Sequence, residues 1–424
     1  MPQNIIVLSD PVHGFIKVPQ KIIQPLLASR EIQRLRQIKQ LGMGYIVYPT
    51  AEHSRFTHAL GAMALLSDAI ESLELKGVNI DSDEKIAALA AILLHDIGHS
   101  PFSHTLEFKL IEETSHEEIS LALIRRLKLH MDGPLDMVIQ MLEGTYERPF
   151  FCDLISSQLD MDRLDYLRRD SHFTGVVEGN IGIDRILRIL CVHPKEGGAD
   201  SCLAIESKGV YAVENVLIAR RLMYWQVYLH KTVIAADFVL CGAIRRARDL
   251  IALGDDVAVS GISPALHWFL KREINCTMLL DDEVLDHFLD LDDTEIICSL
   301  KKWCHSRDPI LSDLSRRIMN RDLFRCTFLD EPPSQDLLPI WRERVTRALK
   351  KIGIKEPNAH TYYLIVNHSS HAAYEPDEGI VHVLDPRGNL INLDQYADST
   401  SISALTNFVK KPYVCYLKSA DLLD

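Results

Sequence analysis

A strongly apolar segment that ends among histidines and an aspartate constrains this chain more than any other feature. Its sequence, DSDEKIAALAAILLHDIGHSPFSH, begins with capping carboxylates and is rich in Ala and Leu, which predicts a helix buried on most sides. Gly98 is well placed to end the helix, and Pro101 prevents its continuation. Because burying Asp96 is costly unless the carboxylate is paired or binds a metal, the helix has to end at a site that satisfies it.

The composition is that of a globular protein. Of 424 residues, 47% are hydrophobic and 25% are charged. No apolar run reaches the roughly 20 residues that cross a bilayer, so we expect no membrane segment. The first residues lack a basic region and a signal-like core, and the nine cysteines are scattered without a C-x-x-C pair. These features predict a cytoplasmic protein with reduced thiols.

The net charge of -13 argues against a nucleic-acid-binding protein, because contacts with a phosphate backbone need a basic face. It leaves room for a local basic pocket that binds one small anion.

The pattern along the chain predicts a mostly α protein. Short strands flank the turn PVHG near the start, and helical periodicity dominates from about residue 20 to 325. The segment DEPPSQD marks a break, after which one helix is followed by β-like runs and the turn DPRGN. We therefore predict a helical core over residues 1–325 and a smaller C-terminal α+β region over residues 326–424.

Several groups are candidates for chemistry. An imidazole beside a carboxylate, as in His95-Asp96, suits a divalent metal, although the pair alone is equally compatible with a surface or capping role. His58 lies among small residues, where a satisfied core histidine is the simpler interpretation. Asp162, Tyr166 and Asp170 are spaced i, i+4, i+8 and so share one helical face.

Taken together, these residues resemble the H…HD…D signature of HD-domain metal phosphohydrolases. The similarity is greater to one branch, the deoxynucleoside triphosphate (dNTP) triphosphohydrolases, and it implies an HD-domain helical core. The similar stretches occur in the family's order over residues 10 to 231. They are DPVHGFIKV, QRLRQIKQLGMGYIVYPTAEHSRFTHALG, LLHDIGHSPFSHTLE, SHEE, DMDRLDYLRRDSHFTG and YLHK.

The resemblance implies a divalent metal held by His58, His95, Asp96 and Asp162, with water and a substrate phosphate completing its shell. Such a metal polarises a phosphoryl oxygen and lowers the pKa of bound water. Two neutral imidazoles and two carboxylates do not select among Mn, Fe, Mg, Zn and Ni.

The resemblance also implies a catalytic group beside the α-phosphate. His99 and His104 would lie there, Glu107 would orient His104, and His116 and Glu117 would complete the pocket. The family most often has Asp where Glu107 stands. Without the resemblance, His116-Glu117 after Thr114-Ser115 is more simply a helix-capping pair.

Substrate contacts follow from the same resemblance. Arg55, Arg163 and Arg220 match phosphate-binding positions, and guanidinium forks suit phosphate oxygens. Each of these arginines alone is more often part of a solvated helix face or an ion pair. Lys231 is a weaker candidate for a fourth contact.

Sugar selection is implied at four further positions. In the family, Gln40 and Asp170 would hydrogen-bond the 3'-hydroxyl, while Tyr166 and Tyr228 would pack on the sugar and leave no room for a 2'-hydroxyl. The two tyrosines are otherwise ordinary core aromatics.

A nucleotide effector near Gln33, Arg34 and Arg36 is a further implication, as is a homo-oligomer, either a dimer or a tetramer. The aspartate that reads guanine in the mammalian branch is replaced by Ala28 here. We therefore do not expect strict GTP activation.

The predicted activity is metal-dependent hydrolysis of dNTPs to deoxynucleoside and inorganic triphosphate. One alternative is another HD phosphohydrolase, acting on monophosphates, cyclic nucleotides or guanosine polyphosphates. The other is a nucleotide-sensing HD protein that has lost catalysis.

Overall fold

The computed structural model describes residues 5–19, 23–194, 201–371, 374, 379–396, 405–406 and 409–423. Helices dominate these residues, as predicted. The helices are α1 (Ile23–Ala28), α2 (Arg30–Arg34), α3 (Arg55–Leu75), α4 (Ser82–Leu94), α5 (His116–Lys128), α6 (Leu135–Leu142), α7 (Pro149–Ile155), α8 (Met161–Thr174), α9 (Ile183–Ile189), α10 (Val210–Met223), α11 (Lys231–Ala252), α12 (Pro264–Leu270), α13 (Asp282–Leu289), α14 (Asp293–Trp303), α15 (Pro309–Met319) and α16 (Leu337–Lys351).

The strands are short and form three small sheets. They are β1 (Ile5–Asp10), β2 (Gly14–Pro19), β3 (Leu190–Pro194), β4 (Ser201–Glu206), β5 (Arg325–Phe328), β6 (Leu364–His371), β7 (His382–Leu384), β8 (Leu390–Asn392) and β9 (Val409–Tyr416). The first two form an antiparallel hairpin around the predicted turn, with Asp10 opposite Gly14.

The apolar helix α4 is the buried centre of the helical core. Asp81 and Glu84 form a capping box at its start, and residues 87–94 are buried without interruption. It packs against α3, which in turn packs against α8. The helix ends at Leu94, four residues before the predicted stop. Gly98 instead permits a close approach, since a Cβ there would lie 2.1 Å from the carbonyl oxygen of His116.

The long helical pattern after residue 210 is divided into two helices. A π-helical turn, Tyr224–Tyr228, separates α10 from α11. Turns of this kind often occur at functional sites. Within the described residues, no single helix is long and apolar enough to cross a membrane. Residues 207–228 and 231–252 meet that requirement only as a pair, which is bent by 54°.

The C-terminal strands are divided between two sheets, one of which they share with the helical core. The antiparallel sheet β5-β9-β6 is built from residues after the helical core. The second sheet has the order β3-β4-β7-β8, and β4 of the core pairs in parallel with β7. Strand β5 begins at Arg325, beside the predicted boundary. The two regions therefore share a sheet, and the division at residues 325 and 326 stays a prediction.

Candidate active site

One cavity of about 880 Å³ gathers the predicted site residues. Its walls come from the loop after α4, the start of α5, and from α8, α10, the π-helical turn and α11. The predicted residues that line it are Gln40, Arg55, His95, Asp96, His99, His104, His116, Glu117, Asp162, Arg163, Tyr166, Asp170, Arg220 and Tyr228. His58 and Glu107 lie behind this wall and contact residues that form it.

Three of the predicted metal ligands converge at one end of the cavity. The ligand atoms of His58, His95 and Asp162 all lie within 4.8 Å of one another. Nε2 of His58 is 2.9 Å from Oδ1 of Asp162, and Nε2 of His95 is 3.5 Å from the same oxygen. Both nitrogens are buried and have no hydrogen-bond partner among the described residues. A cation could therefore bind these nitrogens in place of a proton.

The other nitrogen of each ring is fixed by a hydrogen bond. Nδ1 of His58 donates to Oδ2 of Asp165 at 2.8 Å, and Nδ1 of His95 donates to the carbonyl oxygen of Ile92 at 2.6 Å. A proton held on Nδ1 leaves Nε2 as the acceptor atom, which is how metal-binding histidines are usually oriented. These hydrogen bonds thus fix the orientation of both rings with Nε2 directed at the candidate metal site.

The charge around these rings favours a cation. Burial acts to lower the pKa of His58, but the carboxylates of Asp162 and Asp165 outweigh it and raise the pKa to about 10. The potential that attracts a proton at this point would also attract a divalent metal. Imidazole with carboxylate is a donor set that such ions accept, so the residues present fit a metal.

Asp96 borders the same point but also has a protein partner. Its Oδ1 is 3.2 Å from Nε2 of both His95 and His99. Its Oδ2 accepts from Nη1 of Arg55 at 2.5 Å. Arg55 is itself buried and donates to Oγ of Ser103. The guanidinium predicted to contact phosphate therefore holds a predicted metal ligand in place.

A second histidine group lies farther along the loop after α4. His99 and His116 are stacked with their ring centroids 3.8 Å apart, and His104 meets both rings edge-on. Glu107 accepts from Nδ1 of His104 and from Nδ1 of His116, each at 2.6 Å. These hydrogen bonds outweigh burial and hold the pKa of Glu107 well below its usual range. A carboxylate thus hydrogen-bonds both rings, and its role in orienting His104 for catalysis stays a prediction.

His99, His104 and His116 could also surround an ion by distance alone. Burial, Arg55 and His116 hold the pKa of His99 well below its usual range, so this ring is neutral. The group contains no carboxylate among these three residues, and Arg55 adds positive charge beside it. The group formed by His58, His95 and Asp162 is therefore the better candidate for a metal site.

The two remaining arginines face the cavity from α8 and α10. Arg163 donates from Nε to the carbonyl oxygen of Ser157 at 2.6 Å and to Asp160 at 3.2 Å. Arg220 is buried and donates from Nη1 to Oε1 of Gln158 at 2.8 Å. Both arginines line the cavity that the candidate metal ligands also border. Their guanidinium groups give this side of the cavity a positive charge, although the protein as a whole is acidic.

The predicted sugar-binding residues form one polar and aromatic wall. Asp170 accepts from Nε2 of His53 and from the hydroxyl of Tyr228, each at 2.8 Å. Tyr166 and Tyr228 meet edge-on with ring centroids 6.0 Å apart. The buried amide oxygen of Gln40 has no hydrogen-bond partner among the described residues. This oxygen is available to a hydroxyl group of a ligand.

Two profile matches agree with this geometry. The model of the HD domain matches residues 55–165, and the model of the HD associated region matches residues 183–253. The chain is 34% identical over 403 residues to the uncharacterized protein YwfO of Bacillus subtilis. This match covers 92% of the present chain and 87% of YwfO. The chain belongs to the HD-domain phosphohydrolase family.

Solved and named relatives of this HD phosphohydrolase support the assignment. A crystal structure of a phosphohydrolase from Bacteroides thetaiotaomicron is 42% identical, with a TM-score of 0.90, and covers 97% of this chain and 99% of that one. The human deoxynucleoside triphosphate triphosphohydrolase SAMHD1 is 25% identical over 394 residues. That match covers 83% of this chain but only 59% of the human protein. The chain therefore lies in the SAMHD1-like branch.

One predicted effector contact does not fit the fold. Arg34 is buried and donates to the carbonyl oxygens of Leu291 and His99 at 2.7 and 2.8 Å. Its guanidinium therefore supports the histidine loop and is not available to a nucleotide. Gln33 and Arg36 are exposed and hydrogen-bonded to each other, so an effector contact at these two residues stays a prediction.

Sequence reasoning missed a carboxyl group in the cavity of this HD phosphohydrolase. Asp237 of α11 lines the cavity and accepts from the hydroxyl of Thr105 at 2.8 Å. Burial raises its pKa to about 7. An acidic residue inside an otherwise apolar helical pattern was the available signal. Its meaning depends on which face of α11 meets the cavity.

Proposed function

We propose that this HD phosphohydrolase hydrolyses dNTPs to deoxynucleosides and inorganic triphosphate. One observation carries the proposal: a single cavity joins the candidate metal ligands, Arg163 and Arg220, and a wall formed by Gln40, Tyr166, Asp170 and Tyr228. A metal and arginines alone would suit many phosphate esters. The added wall suits a sugar without a 2'-hydroxyl, and relatives named as dNTP triphosphohydrolases agree with it.

Each group has a defined task in this reaction. A divalent ion, when bound, supplies Lewis-acid polarisation of a phosphoryl oxygen and a water of lowered pKa. Arg163 and Arg220 bind the oxygens of the triphosphate and neutralise part of its charge. Water attacks the α-phosphorus, and the bond to the 5'-oxygen breaks. His104, held by Glu107, gives a proton to that leaving oxygen.

We also propose that the cofactor is a divalent metal ion, either Mn, Fe, Mg, Zn or Ni, since the ligand set does not select among them. The enzyme would work in the cytoplasm as a homodimer or homotetramer. Its nine cysteines are all free thiols, which suits a reducing compartment. Light scattering at several nucleotide concentrations tests the assembly.

Product analysis tests the activity. The protein is incubated with each dNTP and Mn, with and without a second nucleotide, and products are separated by ion chromatography. Inorganic triphosphate is the expected product. Orthophosphate or pyrophosphate instead would favour another HD phosphohydrolase activity, and no hydrolysis with no bound metal would favour a nucleotide sensor.

Asp162→Ala should remove the metal and abolish turnover, because Asp162 is the carboxylate that both histidines face. The exposed residue Asp132 provides a matched control, and Asp132→Ala should leave both properties unchanged. Full activity of Asp162→Ala would refute the ligand assignment.

A further inference from the structure

The N-terminal hairpin, β1 and β2, carries a buried tip on an exposed body. Ile5, Val7 and Phe15 are 48%, 53% and 76% exposed. The side chain of His13, in the turn between the strands, is only 8% exposed. Asp10 shapes this turn, because its Oδ1 accepts from the backbone N–H groups of Val12 and His13, each at 2.9 Å. The turn thereby presents the imidazole of His13 to the protein interior.

His13 reaches the group that orients a metal ligand. Its Nε2 is 2.5 Å from Oδ1 of Asp165, and Oδ2 of the same carboxylate is 2.8 Å from Nδ1 of His58. Asp165 and His58 are fully buried. The hairpin tip is therefore separated from the predicted metal site by one carboxylate and one ring.

Arg169 makes a second connection between the hairpin and Asp165. It donates from Nε and Nη2 to the carboxylate of Asp165, at 2.8 and 3.1 Å. It also donates from Nη1 and Nη2 to Asp10, at 2.8 and 3.3 Å. The fork of one fully buried arginine thus clamps two carboxylates, one on the hairpin and one beside His58.

Helix α3, which bears His58, is built to accept this group closely. A Cβ at Gly61 would lie 2.0 Å from Oδ1 of Asp165 and 2.3 Å from Nη2 of Arg169. Such distances are impossible for real atoms. Gly61, three residues after His58, therefore leaves the space that the carboxylate of Asp165 and the guanidinium of Arg169 occupy.

We propose that Asp10 and His13 are positioning residues for the metal. They act through Arg169 and Asp165 to fix the ring angle and tautomer of His58, so that Nε2 stays directed at the ion. Hydrogen-bond partners behind a ligand commonly change metal affinity by about 10- to 100-fold. The inference rests on the proposed metal site but not on the identity of the substrate.

The test measures metal affinity directly. Mn affinity of the full-length protein is determined by competition with a chelating dye for the parent, His13→Ala, His13→Gln and Asp10→Asn. Phe15→Ala, on the exposed face of the same hairpin, is the control. We expect His13→Ala to weaken Mn binding by about 10- to 100-fold. His13→Gln, which keeps a donor for Asp165, should recover most of the loss.

Folding is followed separately by circular dichroism and chemical unfolding of the metal-free variants. Reduced stability with unchanged Mn affinity in His13→Ala and Asp10→Asn would overturn the proposal, because the hairpin would then support only the fold. The same holds if His13→Gln is as defective as His13→Ala. Failure of the parent protein to bind Mn would instead refute the metal site itself.

Discussion

Replacing Glu107 by Gln tests whether the carboxylate behind the histidine pair drives the chemistry. The carboxylate can only accept, so both rings hold a proton on Nδ1. One of its oxygens also accepts from the backbone N–H of His116 at 3.1 Å. In Glu107→Gln the amide oxygen should keep accepting from the backbone N–H and from Nδ1 of His116. The amide NH₂ then faces Nδ1 of His104, which has to become an acceptor. The imidazolium of His104, the form that gives up a proton, loses its partner.

The size of the effect follows from these contacts. A hydrogen bond to a charged group contributes about 1.5–3 kcal/mol, which corresponds to roughly 10- to 100-fold in rate. The changed tautomer adds to this, since the equivalent amide substitution in a Ser-His-Asp triad lowers kcat by about 10⁴. We therefore expect Glu107→Gln to lower turnover by about 10²- to 10⁴-fold. Metal content should not change, because Glu107 lies in the other histidine group.

The assay compares rates of triphosphate release under saturating dNTP and Mn, together with metal content measured by mass spectrometry. Glu113→Gln, at an exposed position, is the matched control. Glu107→Asp restores an acceptor but shortens the arm, so its rate should lie between those of the parent and Glu107→Gln. A Glu107→Gln rate within about threefold of the parent, with full metal content, would show that the carboxylate does not prepare His104 for proton transfer.

Three further outcomes are expected. Gly98→Ala should lower the free energy of unfolding by about 1–3 kcal/mol, because the new Cβ would overlap the backbone of α5, which is fixed by the helix. Gly182→Ala is the control and should be neutral, because nothing lies within 4 Å of a Cβ there. Burial raises the pKa of Asp237 from 3.8 to about 7, so the folded protein favours the neutral carboxyl group. Ionisation of this group as pH rises through 7 therefore lowers the free energy of unfolding. Between pH 5.5 and 8 the parent should lose about 1–2 kcal/mol that Asp237→Asn retains, and parallel unfolding curves at both pH values would contradict this. Tyr228→Ala should raise the ratio of rNTP to dNTP kcat/KM by about 10- to 100-fold, and an unchanged ratio would exclude steric selection by this ring.

Local rules were sufficient for many elements. The capping carboxylates and the Ala/Leu content of α4 predicted a buried helix, and the turn PVHG predicted a hairpin, because such signals act within a few residues. The position of Gly98 was more deceptive. It resembles a helix stop in sequence, yet in the fold it is the point where the loop touches α5.

The sequence by itself determined which chemistry is available: the order of His58, His95-Asp96 and Asp162 and the histidine-rich loop select an HD phosphohydrolase. Tertiary structure decided what each side chain does. It paired Arg55 with Asp96, enclosed Arg34 under the histidine loop and joined β4 to β7 from a distant part of the chain. It also placed His13 and Asp165 behind His58, although 152 residues separate the first two. The physical reason is that burial forces each charge to find a partner, and only packing determines which partner is within reach.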